Sequence, residues 1–303
     1  MADKAHNMTD IKLEEMEKRL SAIYSRANRE VGESWKKFLA DSTKEIEKLQ
    51  KEYEQAKKSG DKEKAQNIGK RLSRAKRERT LKNKRFKELS ETVAAELANV
   101  NRTALAYING ELPEVYALNY NALKESVDGV GGYSFTLVDA ETVKNLATTD
   151  KSLLPYKTLN VPKDKRWNIQ KLNAEVLQGI IQGESMDEIA KRLSDIIGMN
   201  ESAAIRNART MVTGAENKGR QDSYARAESD GIILKKRWIA TRDSRTRDAH
   251  LEINGQEREQ DKPFSNAIGL IMFPGDPGAH PSNVYQCRCT MRAKVIGFKR
   301  LPK

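Results

Sequence analysis

The sequence predicts a mainly α-helical protein that ends in a small α+β domain. Before Gly231, apolar residues recur every three or four positions over long stretches, which is the period of an amphipathic helix. Beyond Gly231 they alternate with polar residues, which is the period of a strand. We expect four segments: a long basic helical hairpin (1–109), an irregular connector with a short strand (110–165), a helical segment (166–231) and an α+β domain (232–303).

The hairpin is predicted from two long helical patterns with a break between them. The first runs from Leu13 to Ala56, Ser59-Gly60-Asp61 interrupts it, and the second runs from Ala65 to Ile108. Two long helices joined by a short turn favour an antiparallel pair. Because each apolar stripe is narrow, we expect the hairpin to pack on itself and on another subunit.

Positive charge is concentrated in the second limb of this hairpin. The chain carries a net charge of +12, and the stretch from Lys57 to Lys87 alone holds nine Lys and five Arg against three acidic residues, a net charge of +11. One interpretation is a solvated helix near the hairpin tip. The other is contact with duplex DNA phosphates, since few aromatic residues are interleaved for stacking on single strands. The candidate DNA-binding residues are Lys70, Arg71, Arg74, Lys76, Arg77, Arg79, Lys82, Lys84 and Arg85.

The connector and the central helices follow from turn residues and caps. Gly, Pro and Tyr residues are frequent from Gly110 to Lys165, with a short strand expected at Ser134 to Val138. Helices are then predicted over three ranges: Ile169–Ile181, a helix capped by Ser185 with Glu188 and ending at Ile197, and Glu201–Ser229.

The C-terminal domain is predicted to contain two strands. Ile232, Leu234, Trp238 and Ala240 would share one face of the first strand despite Lys236, and a second strand would run from Tyr285 to Val295. A short helix around Arg245 to Asn254 and a Pro/Gly-rich loop from Pro274 to Pro281 lie between them. This order indicates an α+β arrangement.

The two cysteines, Cys287 and Cys289, have two interpretations. Residues i and i+2 of a strand face the same side, so both thiolates could converge on zinc, with His250 and His280 completing a Cys2His2 set. Equally, the two cysteines could lie in an apolar row with Tyr285, Met291 and Ala293, as small hydrophobic residues. No cofactor other than zinc is suggested.

Catalysis is a separate alternative. Arg247 and His250 would face one way on a helix, near Asp243 and Asp248, and could serve a nuclease or transferase-like site. A structural hydrogen-bond network explains the same residues. The sequence contains no HExxH run, phosphate-binding GxxxxGK[ST] loop or Ser-centred nucleophile elbow. It also contains no run of eighteen apolar residues and no apolar signal-peptide core after Met1, so we expect a protein without membrane contact that stays in the cytoplasm or in an assembly built there.

The C-terminal motif resembles that of the phage minor head, or head morphogenesis, proteins with a Mu F-like C-terminal domain. The resemblance lies in a tryptophan strand, a D-x-R-T-R-x-x-H run, a glycine with a Pro-Phe pair, a Pro-Gly-Asp loop and a terminal C-R-C. It covers roughly residues 200 to 296 strongly. The residues are Trp238, Asp243, Arg245, Thr246, Arg247, His250, Gly255, Pro263, Phe264, Pro274, Gly275, Asp276, Cys287, Arg288 and Cys289.

The resemblance implies a minor capsid component without established catalysis. Such a protein would enter the prohead with the portal protein, contact double-stranded DNA, and act in head assembly, DNA packaging or ejection. It would reside inside the virion head near the portal after assembly in the bacterial host cytoplasm. His280 is outside the family pattern, so a ligand set of His250, Cys287 and Cys289 would need an aspartate or water as its fourth member. A cytoplasmic coiled-coil protein that binds nucleic acid in chromosome biology is a further alternative for the N-terminal half.

Overall fold

A computed structural model describes residues 3–78, 84–127, 138–182, 184 and 186–299. The α-helices are α1 (Lys4–Lys58), α2 (Lys62–Glu78), α3 (Lys84–Tyr120), α4 (Lys124–Val127), α5 (Ala140–Thr149), α6 (Val161–Ile181), α7 (Met186–Ser229), α8 (Asp248–Glu252) and α9 (Pro281–Val284). The strands are β1 (Ile232–Ile239), β2 (Glu257–Glu259), β3 (Phe264–Asn266), β4 (Gly269–Ile271) and β5 (Thr290–Phe298). The mainly helical class with a small C-terminal sheet is therefore confirmed. Over the described ranges, no helix is both long enough and apolar enough to span a bilayer.

The chain forms two compact units, and each draws on separate parts of the sequence. Unit 1 contains Met1–Leu20, Ala104–Thr158 and Ala203–Lys303. Unit 2 contains Ser21–Thr103 and Leu159–Ser202. The C-terminal motif belongs to unit 1, whereas the basic limb of the hairpin belongs to unit 2.

The turn between the first two helices lies where the sequence predicts it. Gly60 has a φ of 74°, a left-handed conformation that glycine adopts without steric cost. The Asp61 carboxylate then accepts a hydrogen bond from the Lys64 amide at 3.0 Å, which caps the start of α2. Apolar residues of α1 and α2 pack together beside this turn: Leu49, Ala56, Ile68 and Leu72.

The second limb differs from the prediction at its C-terminal end. Helix α3 continues to Tyr120 through Pro113, across the start of the predicted connector. Ile108, Leu112 and Val115 keep the helical spacing and are fully buried, so packing outweighs the loss of one backbone hydrogen bond at the proline.

The remainder of the connector is also more helical than expected. Helix α5 begins after Asp139, whose carboxylate accepts from the Thr142 amide at 3.0 Å. Asp139 is a favourable N-cap residue, but the sequence analysis gave more weight to the Gly and Pro residues of this region and predicted an irregular connector. The strand expected at Ser134 to Val138 falls outside the described residues except for Val138, which belongs to no regular element.

The central helices are longer than predicted. Helix α6 begins at Val161, and α7 is a single helix of 44 residues where two were expected. Gly198 does not interrupt α7, because a helical glycine costs only about 1 kcal/mol and buried neighbours such as Ile196 and Ala204 hold the helix on both sides. The predicted capping residue Ser185 lies outside the described residues.

Unit 2 packs the helical hairpin against these central helices. Val31 and Trp35 of α1 face Val93 of α3, and the same apolar region includes Leu172 of α6 and Leu193 of α7. The inner face of the hairpin is thus covered by its own chain. Packing on another subunit remains a prediction.

The C-terminal sheet has the order β2-β1-β5, with antiparallel neighbours. The face of β1 predicted to be buried is buried, and Lys236 lies on it with no exposed surface. The second predicted strand is wrong at its start: β5 begins at Thr290, and Gln286 has a φ of 57°, which an extended strand does not allow. The short helix is also shorter than predicted, because α8 begins only at Asp248.

Candidate functional site

Two segments of unit 1 are connected by side chains of the sequence motif. One is the segment 241–250, which follows β1. The other is the C-R-C segment, residues 285–289, which precedes β5. The Asp243 carboxylate accepts two hydrogen bonds from Arg288, at 2.5 and 2.6 Å. These bonds hold the pKa of Asp243 well below its usual range.

Threonine and arginine side chains add further bonds to the same two segments. The Thr241 hydroxyl donates to the Arg288 carbonyl at 2.6 Å. Thr246 donates to the carbonyl of Thr241, and Arg247 donates to the carbonyl of Tyr285. Thr246 and Arg247 of the D-x-R-T-R-x-x-H run therefore bind backbone carbonyls, whereas Asp243 binds the Arg288 side chain. The Arg245 side chain is 71% exposed and lies 3.7 Å from Asp243.

His250, Cys287 and Cys289 meet in the interior of unit 1. His250 Nδ1 lies 3.6 Å from Cys287 Sγ and 3.5 Å from Cys289 Sγ, and all three residues are buried. Sequence reasoning brought these three together correctly, but the strand alternation invoked for them was wrong. The cysteines lie on a bent segment before β5, and Tyr285, expected in the same row, is exposed.

His280 is not part of this cluster. It is the N-cap of α9, where its Nδ1 accepts a hydrogen bond from the Ser282 amide at 3.3 Å, and it is exposed. The predicted Cys2His2 set is therefore reduced to Cys2His by the fold.

The two thiols differ in acidity. The hydrogen bond between them lowers the pKa of Cys289, and His250 contributes to this shift. The same bond, together with burial, raises the pKa of Cys287.

Aromatic side chains enclose the cluster. The Trp238 ring meets His250 edge-on at 5.3 Å between centroids and Phe264 at 5.2 Å. Ile253 and Ile271 complete an apolar shell around the two cysteines. The tryptophan and Pro-Phe elements of the motif thus form the wall of this core.

The two motif glycines have conformational roles. Gly255 has a φ of 83° and Gly275 a φ of 80°. A Cβ at Gly275 would lie 2.7 Å from the backbone nitrogen of Gly214 in α7, so the Pro274-Gly275 turn can approach this helix only without a side chain. The Asp276 carboxylate stabilises the turn by accepting from the amides of Met272 and Gly278.

Helix α7 supports the C-R-C segment with polar side chains. The Thr213 hydroxyl donates to the Cys287 carbonyl at 2.7 Å, and Asn217 Nδ2 donates to the Cys289 carbonyl at 3.3 Å. Thr210 accepts from the Gln286 amide at 3.0 Å. The left-handed Gln286 and its neighbours are thus held by the helix rather than by a strand partner.

A buried ionic network on α7 was missed by sequence reasoning. Arg220 donates to both carboxylate oxygens of Asp3, at 2.8 and 2.9 Å, and to the carbonyl of Met291. Burial would raise the pKa of Asp3, but the bonds from Arg220 hold it well below its usual range. Next to this network, Glu216 binds His6 at 2.9 Å and raises the pKa of the imidazole to about 8 against the opposing effect of burial. Nothing in the sequence connects residue 3 with residue 220.

The candidate DNA-binding residues that the structure describes belong to α2 and the start of α3, in unit 2. Lys70, Arg71 and Arg74 are exposed on α2. Lys76 and Arg77 belong to the end of the same helix, and Lys84 and Arg85 begin α3, but their side chains lie outside the description. Arg79 and Lys82 are outside the described residues altogether.

The C-terminal region matches a known family. Residues 170–292 fit the family model described as Phage Mu protein F like protein, and this range contains every residue of the motif. This region is Mu F-like. The resemblance drawn from the motif is therefore confirmed.

Individual relatives extend this similarity to differing degrees. Minor head protein GP7 of Bacillus phage SPP1 is 23% identical to this chain over 297 residues, which cover 94% of this chain and 87% of that protein. An NAD(+)–arginine ADP-ribosyltransferase, EFV, of Enterococcus faecalis is 32% identical over 133 residues, which are 43% of this chain and 26% of that enzyme. The match thus spans about a quarter of the enzyme. No solved structure is significantly similar.

The geometry of Arg247 and His250 bears on the catalytic alternative. His250 is 1% exposed, and Arg247 is the N-cap residue that precedes α8 rather than a member of that helix. The two side chains have different partners, namely the carbonyl of Tyr285 for Arg247 and the cysteines and Asn283 for His250. This arrangement favours a structural role for the motif over a reaction at its surface.

Proposed function

We propose that this Mu F-like protein is a structural minor capsid protein of a phage or prophage. It acts in head assembly with the portal protein and in DNA packaging or ejection, inside the head near the portal. One observation carries the proposal: the likeness to minor head protein GP7 extends over 94% of the chain, well beyond the Mu F-like range. The buried, hydrogen-bonded motif supports a structural rather than a catalytic role.

The C-terminal half is the part that we assign to the portal. Its motif side chains stabilise the interior of unit 1. The exposed residues of unit 1 can therefore differ in sequence, and so bind different partners, without a change of fold. The full chain, co-expressed with a phage portal protein, is expected to co-sediment with portal rings. Recovery of the chain only in the unbound fraction, with the portal properly assembled, would contradict this assignment.

The basic limb of the hairpin is the part that we assign to DNA. Ile68 and Leu72 turn one face of α2 against α1, so exposed Lys70, Arg71 and Arg74 project from the other side. Cationic side chains at this density neutralise phosphates without reading bases. Binding should therefore be independent of sequence and should weaken steeply with salt.

The DNA assignment is tested by neutralising three charges. Replacing Lys70, Arg71 and Arg74 with Gln should weaken duplex binding by the full-length protein and reduce the slope of log K against log salt by about 2 to 3, since each phosphate contact contributes roughly 0.9. The matched control replaces Lys18, Arg19 and Arg29, which are exposed on α1, with Gln and removes the same charge.

Two results would contradict the DNA assignment. One is a wild-type protein that ignores duplex DNA at low salt. The other is an equal loss of binding in both triple variants, because that would show a dependence on overall charge rather than on α2.

We do not assign catalysis to Arg247 and His250. The relative with a named activity is matched over only 26% of its length, and His250 is shielded from solvent. If the chain nonetheless modified a substrate, His250→Ala would abolish the activity while the helical content remained.

A further inference from the structure

The strongest unassigned feature is the convergence of His250, Cys287 and Cys289. Their ligand atoms all lie within 4.8 Å of one another. In tetrahedral zinc sites with Zn–S near 2.3 Å and Zn–N near 2.0 Å, an N···S edge measures about 3.5 Å. The two observed edges, from His250 Nδ1 to Cys287 Sγ and to Cys289 Sγ, are 3.6 and 3.5 Å.

The tautomer of His250 suits a metal ligand. Its Nε2 lies 3.3 Å from Asn283 Oδ1, an oxygen that can only accept, so Nε2 carries the proton and Nδ1 presents a lone pair to the sulfurs. Asn283 is itself fixed by a reciprocal amide pair with Asn266, at 3.1 and 3.3 Å. An outer partner of this kind typically orients a metal-bound histidine.

The two sulfurs lie at nearly equal distances from a single nitrogen of His250. The single lone pair of Nδ1 accepts one thiol proton at a time, although both sulfurs are equally close to it. A metal ion engages all three atoms at once. Two thiolates and a neutral imidazole also cancel the charge of a divalent ion, which suits a site surrounded by Trp238 and Phe264.

We propose that His250 Nδ1, Cys287 Sγ and Cys289 Sγ bind one Zn²⁺ ion that ties α8 to the C-R-C segment. On binding, each cysteine sulfur forms a Zn–S bond as a thiolate, and any proton that a thiol still carries leaves to solvent. Among the described residues no fourth His, Cys, Asp or Glu joins the group, and water completes the coordination. Soft thiolates and an imidazole select zinc over magnesium or calcium.

The first test is metal content and coordination of the full-length protein. After expression with added zinc, mass spectrometry should find about one equivalent of zinc per chain, and exchange for Co²⁺ should give thiolate-to-cobalt charge-transfer absorption. Less than about a tenth of an equivalent of zinc, together with no such absorption, would overturn the proposal and leave the cysteines as core packing.

Variants then assign the ligands. Cys287→Ser and Cys289→Ser should lose the stoichiometric zinc, whereas His280→Ala removes an exposed histidine outside the cluster and should retain it. Asn283→Ala keeps all three ligands and should weaken zinc binding about 10- to 100-fold. Zinc retained by both cysteine variants would refute the assignment.

A further readout does not depend on the variants folding. Addition of Zn²⁺ to metal-free wild-type protein should release protons to solvent and protect both thiols from a thiol reagent. If both thiols react equally with and without zinc, the proposal fails. None of these measurements involves portal or DNA, so the zinc site and the proposed function can fail separately.

Discussion

Replacement of the buried lysine, Lys236→Met, would measure what an amine costs in the core of unit 1. The Lys236 ammonium donates to the Met272 carbonyl at 2.8 Å and to Gln221 Oε1 at 3.2 Å, and it lies 5.3 Å from the centre of the Phe264 ring. Burial lowers its pKa to about 8, although Asp261 and Asp276 act in the opposite direction. The charged form is therefore disfavoured in the folded protein.

The magnitude follows from the two pKa values of this amine. Between about 8 in the folded chain and about 10.4 in the unfolded chain, the difference corresponds to roughly 3 kcal/mol. In that interval the unfolded state binds more protons than the folded state, so the contribution of Lys236 to stability rises with pH. Below about pH 8 both states are protonated and the cost is constant.

Methionine has a similar length and no titrating group, so the variant isolates the contribution of the amine. From about pH 8 to about 10.4, the free energy of unfolding of wild type should rise relative to Lys236→Met by roughly 3 kcal/mol. The chain has three Trp, and Trp35→Phe with Trp167→Phe leaves Trp238 in unit 1 as the reporter for urea unfolding. A difference that stays constant with pH would refute the reasoning, because it would mean that the amine titrates alike in both states.

Two further substitutions in unit 1 are expected to lower the free energy of unfolding, which the same fluorescence assay measures. Gly275→Ala should lower the free energy of unfolding by about 2 to 4 kcal/mol, because its Cβ would lie 2.7 Å from the α7 backbone and its φ is 80°. Gly297→Ala is the control and should be nearly neutral, because its Cβ would have nothing within 4 Å. Equal effects of the two substitutions would contradict the steric argument. Asp3→Ala should cost about 3 to 5 kcal/mol by leaving the Arg220 guanidinium buried without its main carboxylate. Asp230→Ala is the control: it removes an exposed partner of Arg226 and should cost no more than about 1 kcal/mol. If Asp3→Ala lost less stability than Asp230→Ala, Arg220 would have found another partner.

Local sequence patterns predicted the element types well and their ends poorly. The break at Gly60 and the buried face of β1 depend on short-range rules, and both are present. The continuation of α3 through Pro113 depends on burial of Leu112 and Val115, which is a property of the folded protein rather than of the local sequence. Packing therefore overrode a local stop signal that the sequence displays clearly.

The sequence predicted which residues form the candidate site more accurately than it predicted their geometry. His250, Cys287 and Cys289 do meet, and Arg288 does belong to the same arrangement. Strand alternation gave the right convergence for the wrong reason, since Gln286 bends the chain between Tyr285 and Cys287. The support from Thr213 and Asn217 of α7 was invisible, because it joins residues more than seventy positions apart.

The Asp3–Arg220 pair has a consequence for how the chain is made. Asp3 also accepts a bond from Arg292 in β5 at 3.0 Å, so a side chain at position 3 has partners at positions 220 and 292. During translation Asp3 is synthesised long before Arg220 and Arg292, so it cannot form these bonds until both have emerged. A nascent chain stalled before β5 would therefore hold an incompletely folded unit 1, and synthesis of β5 would allow unit 1 to finish folding.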